Sequence, residues 1–223
     1  FAGEDYGAPL AETLGGTFVP SNMGRAIIPT SGTDIRTHPA ENWDYIPEIV
    51  RPYFVKRIAV IGAESTGKST LTAKLAQHFQ TVIVPEYAET LIMHRGRDLN
   101  EDDFKMIAQA QKASEEALVY QARRVLFCDT EIMTTAIWSK MLLENCPEWL
   151  NANARENRYD LYLLLDTDAA WQEDAHRYGI ETQEIFMKSC IKRLEEDQKP
   201  YIRLSGSWEE KFTAAVTAVE KLV

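Results

Sequence analysis

Residues Gly62-Ala63-Glu64-Ser65-Thr66-Gly67-Lys68-Ser69-Thr70 begin with the pattern G-x-x-x-x-G-K-S. Each fixed position in that pattern has a chemical task. Gly62 lets the chain turn sharply out of a strand. Gly67 leaves room for backbone N–H groups to point at phosphate oxygens, and the start of the next helix adds its own N–H groups to the cradle. Lys68 can reach the β- and γ-phosphates of ATP, and the Ser69 hydroxyl can ligate Mg²⁺. The flanks fit as well, with the apolar run Ile58-Ala59-Val60-Ile61 before the loop and helical spacing after it. A glycine-bearing turn that binds nothing is the bland reading, and the complete pattern with both flanks argues against it.

Other candidates lie where strands are expected to end. Asp129 closes Val125-Leu126-Phe127-Cys128 and can hold Mg²⁺ directly or through water. It could equally cap the helix that follows. Glu86 follows the run Thr81 to Val84 and could accept a proton from an acceptor hydroxyl, or could serve only as a first-turn helix acid. The polar stretch from Asp166 to Gly179 has the length of a lid. Within it, Arg177 could neutralise charge developing on the transferred phosphoryl group, or pair with one of the acids around it. Tyr87, Trp138, Trp149 and Tyr159 are candidates to stack on a flat ring, against the plainer reading of core or surface cover. Ser205-Gly206-Ser207 is a weak candidate for a wall beside adenine.

Positioning these residues requires strands and helices in alternation. Runs at Lys56–Ile61, Thr81–Val84, Val125–Cys128, Leu161–Leu165 and Tyr201–Leu204 read as buried strands. Helical spacing marks Lys68–Phe79, Glu101–Arg124, Ile132–Leu143, Glu148–Ala152, Thr182–Gln198 and Trp208–Leu222. This alternation predicts an α/β fold, a five-stranded parallel sheet flanked by helices, with ligands at the carboxyl ends of the strands. Residues 1–55 differ in composition, holding six of the nine prolines and six of the eleven glycines. A short helix is expected near Ala8–Leu14, a strand at Thr17-Phe18-Val19, and a second helix near Asp34 capped by Ser31 or Thr33.

The net charge of −10 argues against nucleic-acid binding as the main activity. The three cysteines show no metal spacing and read as thiols of a reducing compartment, which places the chain in the cytoplasm. No apolar run approaches the ~20 residues of a membrane span.

Residues 52–223 resemble the kinase domain of the bifunctional NMN adenylyltransferase/ribosylnicotinamide kinase family. The resemblance is carried by Pro52 to Arg57, Gly62 to Ser69, Glu86-Tyr87-Ala88, Asp129-Thr130-Glu131, Thr134-Thr135 and Trp171 to Gly179. Residues 1–51 resemble the tail of the adenylyltransferase domain, through Arg25, Ser31-Gly32-Thr33-Asp34-Ile35-Arg36 and Asn42 to Pro47. The resemblance implies a P-loop kinase fold preceded by a remnant of a Rossmann-like nucleotidyltransferase. It also implies transfer of the γ-phosphate of ATP to the 5′-hydroxyl of nicotinamide riboside, giving NMN for NAD salvage. Carried over by position, Gly62 to Thr70 bind ATP phosphates, with Ser69 and Asp129 at the metal. Lys68, Glu86, Asp129 and Arg177 are catalytic, and Glu86, Tyr87, Asp129 and Trp138 meet the substrate. The chain departs from the family at Pro85 and Glu89. His38, His78, His94 and His176 lie too far apart to form the histidine signature of the adenylyltransferase, so a missing N-terminal segment is implied and no NAD synthesis is expected from these residues alone. The oligomeric state stays open. The competing reading is a P-loop ATPase acting as a nucleotide-dependent switch.

Overall fold

The structure is a computed structural model that describes residues 2–96, 98–167 and 180–223. The chain divides into two compact units, Phe1–Arg51 and Pro52–Val223.

In the first unit, α1 (Gly7–Thr13) and α2 (Gly32–Thr37) form close to where the sequence places them. Ser31 caps α2 through a reciprocal capping box with Asp34. Arg25 bridges Glu4 and Asp34, at 2.8 and 3.2 Å. The strand expected at residues 17–19 does not form. A strand needs a partner along its length, and the described residues offer only the isolated bridge between Ala2 and Pro20. Phe18 instead lies against Gly7, where a Cβ would meet its ring at 2.3 Å. No Rossmann-like sheet is shown by these residues.

The second unit is built on β1 (Lys56–Gly62), β2 (Ile83–Val84), β3 (Val125–Asp129), β4 (Leu161–Leu165) and β5 (Tyr201–Leu204). The spatial order is β2-β3-β1-β4-β5 with every pairing parallel. β1, β3 and β4 are apolar on both faces because helices cover both sides of the sheet. Alternate residues Ile58, Val60, Phe127, Leu163 and Leu165 pack with Leu71, Leu75, Ala215 and Val219 from α3 (Lys68–Phe79) and α9 (Trp208–Glu220). The remaining helices are α4 (Tyr87–Arg95), α5 (Glu101–Leu118), α6 (Ile132–Leu143), α7 (Glu148–Glu156) and α8 (Ile180–Glu196). α5 stops six residues short of the predicted end at Arg124, because the chain must turn at residues 119–122 to enter β3 beside β1. The cysteines are free thiols, with Cys128 and Cys190 buried. No helix among the described residues is long and apolar enough to cross a membrane.

The start of α6 decides a question that the sequence leaves open. Glu131, not Asp129, caps this helix, accepting from the Met133 and Thr134 amides at 2.8 and 3.1 Å. Burial raises the Glu131 carboxyl to about 7, against the pull of the two amides and of Lys199. Replacing it by alanine leaves two buried N–H groups without acceptors. Glu131→Ala is expected to cost about 2 kcal/mol or more of unfolding free energy, read from chemical denaturation.

Candidate active site

β1 delivers the phosphate loop. Gly62 ends the strand, and the loop runs to the first turn of α3 through two residues with positive φ, Ser65 at 64° and Gly67 at 88°. Gly67 is required twice over, because its backbone is left-handed and a Cβ there would lie 2.4 Å from the Trp208 ring. The loop is braced from three sides. Thr66 Oγ1 donates to the Ala63 carbonyl at 2.8 Å, Gln183 Nε2 on α8 donates to the Glu64 carbonyl at 2.9 Å, and Trp208 covers Gly67. Lys68 Nζ donates to the Ala63 carbonyl at 3.0 Å.

The loop forms one end of a cleft of about 730 Å³. Gly62, Glu64, Ser65, Gly67, Lys68, Ser69 and Thr70 line it directly, whereas Ala63 and Thr66 are buried behind the loop. Asp129 lies beneath this floor, 3% exposed, and its carboxylate is held by the Ser69 hydroxyl. Its Oδ1 is buried with no hydrogen-bond partner. Burial raises its carboxyl above the ordinary value, while Ser69 and Lys68 oppose the rise. Because Glu131 takes the capping task, Asp129 is available to the site. A hydroxyl and an uncompensated carboxylate side by side suit Mg²⁺, which prefers few protein oxygens and fills its octahedron with water and phosphate. The residues present therefore fit the ion. No group of three or more His, Cys, Asp or Glu among the described residues could hold a metal on its own.

Glu86 lines the same cleft at the end of β2. It occupies the N-cap position of α4 without a side-chain cap bond, so its carboxylate is not committed to the α4 amides. Burial pushes its carboxyl from 4.5 up to about 7; Lys68 opposes this, and Asp129, Glu89 and Glu64 add to it. The far part of the cleft is apolar, with Ile92, Phe104, Ile107, Leu142 and Phe186. Trp138 lies in this wall and stacks on Phe186, with centroids 4.7 Å apart and planes at 24°.

Tyr87 is not among the cleft-lining residues; it opens α4, and its amide donates to Gln111. The other two aromatic candidates are also elsewhere. Tyr159 is a core residue whose hydroxyl donates to Glu115 at 2.6 Å, and Trp149 is on α7 outside the cleft. Ser207 is occupied in capping α9. Arg177, and all but the first two residues of the lid expected from Asp166 to Gly179, lie outside the described residues. Sequence reasoning missed Gln111, Gln183 and the cap at Glu131. Gln111 left a signal, a polar residue following Phe104, Ile107 and Ala108 on the buried face of α5, whereas Gln183 left none.

Comparison with known proteins agrees with this geometry. A family model described as AAA domain matches residues 57–211. The chain belongs to the AAA domain family. It is 31% identical, over 232 aligned positions covering all of this chain, to the trifunctional NAD biosynthesis/regulator protein NadR of Escherichia coli (strain K12). The NadR protein of Salmonella typhimurium is 30% identical over 231 positions. The chain spans 56% of the length of each, so it is homologous to part of NadR. The family resemblance drawn from the sequence is borne out. A crystal structure of NadR in complex with NR superposes with a TM-score of 0.76 at 23% identity, covering 89% of this chain and 59% of that one. NadR in complex with NAD and AMP-PNP gives 0.75 at 23%, covering 89% and 58%. Thymidylate kinase from Candida albicans gives 0.56 at 13%, covering 75% and 92%. The fold is therefore that of the P-loop kinases, as the family resemblance implies, with the parallel sheet that the alternation of strands and helices predicts.

The raised Glu86 carboxyl has a consequence for stability. Below pH 4.5 the group is protonated whether the chain is folded or not. As pH rises from 4.5 to about 7 the unfolded chain ionises the group while the folded protein keeps it protonated, so stability falls across that window and levels off above it. Glu86→Gln removes that cost. The ligand-free variant is expected to be more stable than the native protein at pH 8, by about 1–3 kcal/mol after allowing for partial exposure, and equal to it at pH 4. Thermal melting at the two pH values measures this.

Proposed function

We propose that residues 52–223 form an ATP-dependent kinase that phosphorylates the 5′-hydroxyl of nicotinamide riboside, giving NMN. The observation that carries this reading is Glu86. It is a carboxylate with no capping task, poised near neutrality, between the phosphate loop and an apolar cleft wall. The relatives' names support the pathway, NAD biosynthesis, and solved NadR complexes contain NR and AMP-PNP. Residues 1–51 are proposed to be the C-terminal part of an NMN adenylyltransferase-like domain, on the resemblance of Ser31 to Arg36.

In this mechanism the loop amides and Lys68 hold the β- and γ-phosphates, drawing negative charge off the γ-phosphorus. Ser69 and Asp129 would hold Mg²⁺, which when bound neutralises charge on the phosphate oxygens. Glu86 accepts a hydrogen bond from the acceptor hydroxyl and takes its proton as the new O–P bond forms. The bond between the γ-phosphorus and the β,γ-bridging oxygen breaks, and ADP leaves with the electron pair. The flat pyridinium ring lies in the apolar part of the cleft, against Phe104 and the Trp138–Phe186 stack. Arg177 is proposed to close over the phosphates. The switch ATPase reading is not favoured, because a uniform water-activating site has no use for the apolar wall.

Incubation of the protein with ATP, Mg²⁺ and a panel of nucleosides tests the reading. Transfer to nicotinamide riboside is expected, with little hydrolysis of ATP in its absence. Transfer to another nucleoside alone would remove the substrate assignment. Lys68→Ala is expected to lower kcat/KM by roughly 10²–10³-fold. The acceptor kcat/KM should rise with pH through about 7 and lose that limb in Glu86→Gln, because only ionised Glu86 can take the proton. An unaltered pH profile in the variant would remove Glu86 as the base.

A further inference from the structure

Gln111 stands at the boundary between the polar and apolar parts of the cleft. It is 3% exposed and lines both this cleft and a smaller cavity of about 140 Å³ on its other side, beside Glu115 and Asn153. Its Oε1 accepts from the Tyr87 amide at 3.1 Å, and its Nε2 is buried with no hydrogen-bond partner. This orientation of the side-chain amide has a chemical basis. The Tyr87 N–H can only donate, so the oxygen of Gln111 must face it and the NH₂ group must face away. A buried donor without an acceptor is costly, and native structures keep one where something else supplies the acceptor.

The position along α5 indicates what that acceptor is. Phe104, Ile107 and Gln111 follow one another at helical spacing on one face and all line the cleft. Gln111 is therefore about 10 Å along the helix axis from Phe104. It anchors the residue next to Glu86, so it stands towards the phosphoryl-transfer end, one turn beyond Ile107 of the apolar wall. In a nucleoside, the oxygens near the transferred phosphoryl group belong to the sugar.

We propose that Gln111 is a specificity-determining residue whose Nε2 donates a hydrogen bond to a ribose hydroxyl oxygen of the nucleoside acceptor, selecting ribonucleosides over their deoxy counterparts. The proposal rests on the nucleoside kinase reading above. The same bond to Tyr87 ties the selecting amide to the segment that carries Glu86, so recognition of the sugar and placement of the proton acceptor share one strut.

The test compares the native protein with Gln111→Met, which removes both polar ends. It also includes Gln111→Glu, which keeps an oxygen for the Tyr87 amide and removes only the donor. Each is assayed with nicotinamide riboside and its 2′-deoxy and 3′-deoxy analogues, or with the corresponding set for whichever nucleoside the native protein accepts. The native protein should lose about tenfold in kcat/KM when the contacted hydroxyl is deleted. Both variants should lose about as much on the ribonucleoside, mainly through KM, and nothing further on that deoxy analogue. Unchanged ATP affinity and melting would show that the variants are folded. Variants that still discriminate against both deoxy analogues as strongly as the native protein would overturn the proposal while leaving the kinase reading intact. Variants that lose as much activity on both deoxy analogues as on the ribonucleoside would overturn it in favour of a contact elsewhere on the nucleoside. Absence of transfer to any nucleoside by the native protein would overturn the kinase reading and this assignment together.

Discussion

β1 is paired on both edges and covered on both faces. It takes β3 on one side and β4 on the other, and Ile58, Ala59, Val60 and Ile61 are all fully buried. A strand so enclosed leaves its loop little freedom at the carboxyl end, where a Cβ on Gly62 would lie 3.0 Å from the Leu165 carbonyl oxygen. The phosphate loop inherits that rigidity. Its left-handed residues, Ser65 and Gly67, hold backbone conformations that a free loop would rarely keep, and the braces from Thr66, Gln183 and Trp208 over-determine them. Parallel pairing does the rest, since every strand then presents its carboxyl end to the same side. Glu86 after β2 and Asp129 at the end of β3 meet the loop there although 24 and 67 positions in sequence separate them from Gly62.

The electrostatic character of the site follows from that meeting. Burial first, and then the charges of Asp129, Glu89 and Glu64, raise the Glu86 carboxyl, burial and Glu89 raise that of Asp129, and Lys68 is the cation that opposes the rise at both. Such a site is poorly suited to the folded chain alone and well suited to a bound cation between carboxylates and phosphates. The unpaired Asp129 Oδ1 and the raised Glu86 are two expressions of the same arrangement, in which stability is given up where charge is to be handled. The neighbouring carboxylate, Glu131, keeps the structural task. Its two amide bonds at the start of α6 spare Asp129 from capping and so separate the support of the helix from the chemistry of the site.

Local pattern determined a large part of this protein. The phosphate loop, the five strands, most helix positions and the two strand-end acids were legible because each depends on residue type and spacing over a few positions. Glycine is needed at Gly67, where φ is positive and the Trp208 ring leaves no room for a Cβ, apolar runs where a strand is covered on both faces, and Ser31 where α2 begins. The expected strand at residues 17–19 failed for a related reason. Its sequence is compatible with a strand, but strand formation depends on a partner that the sequence segment does not contain.

Only the tertiary structure decided which residues share the cleft and which polar groups are left with unused capacity. The sequence could not choose between capping and metal-binding readings of Asp129, because the competitor for the cap, Glu131, acts through backbone amides that become available only when α6 forms against the sheet. It could not separate Trp138, which joins the cleft, from Trp149 and Tyr159, which do not, because all three are aromatic residues near helices or strand starts. Nor could it mark Gln111 as more than a polar residue following apolar ones on a helix face. That side chain acquires its direction from a single N–H donor 24 residues earlier in the chain, on a helix it meets only after folding. Residue types and spacing determine what chemistry a chain can hold; long-range contacts, which have no signature in local sequence, determine which of those groups face one another and which remain free to act.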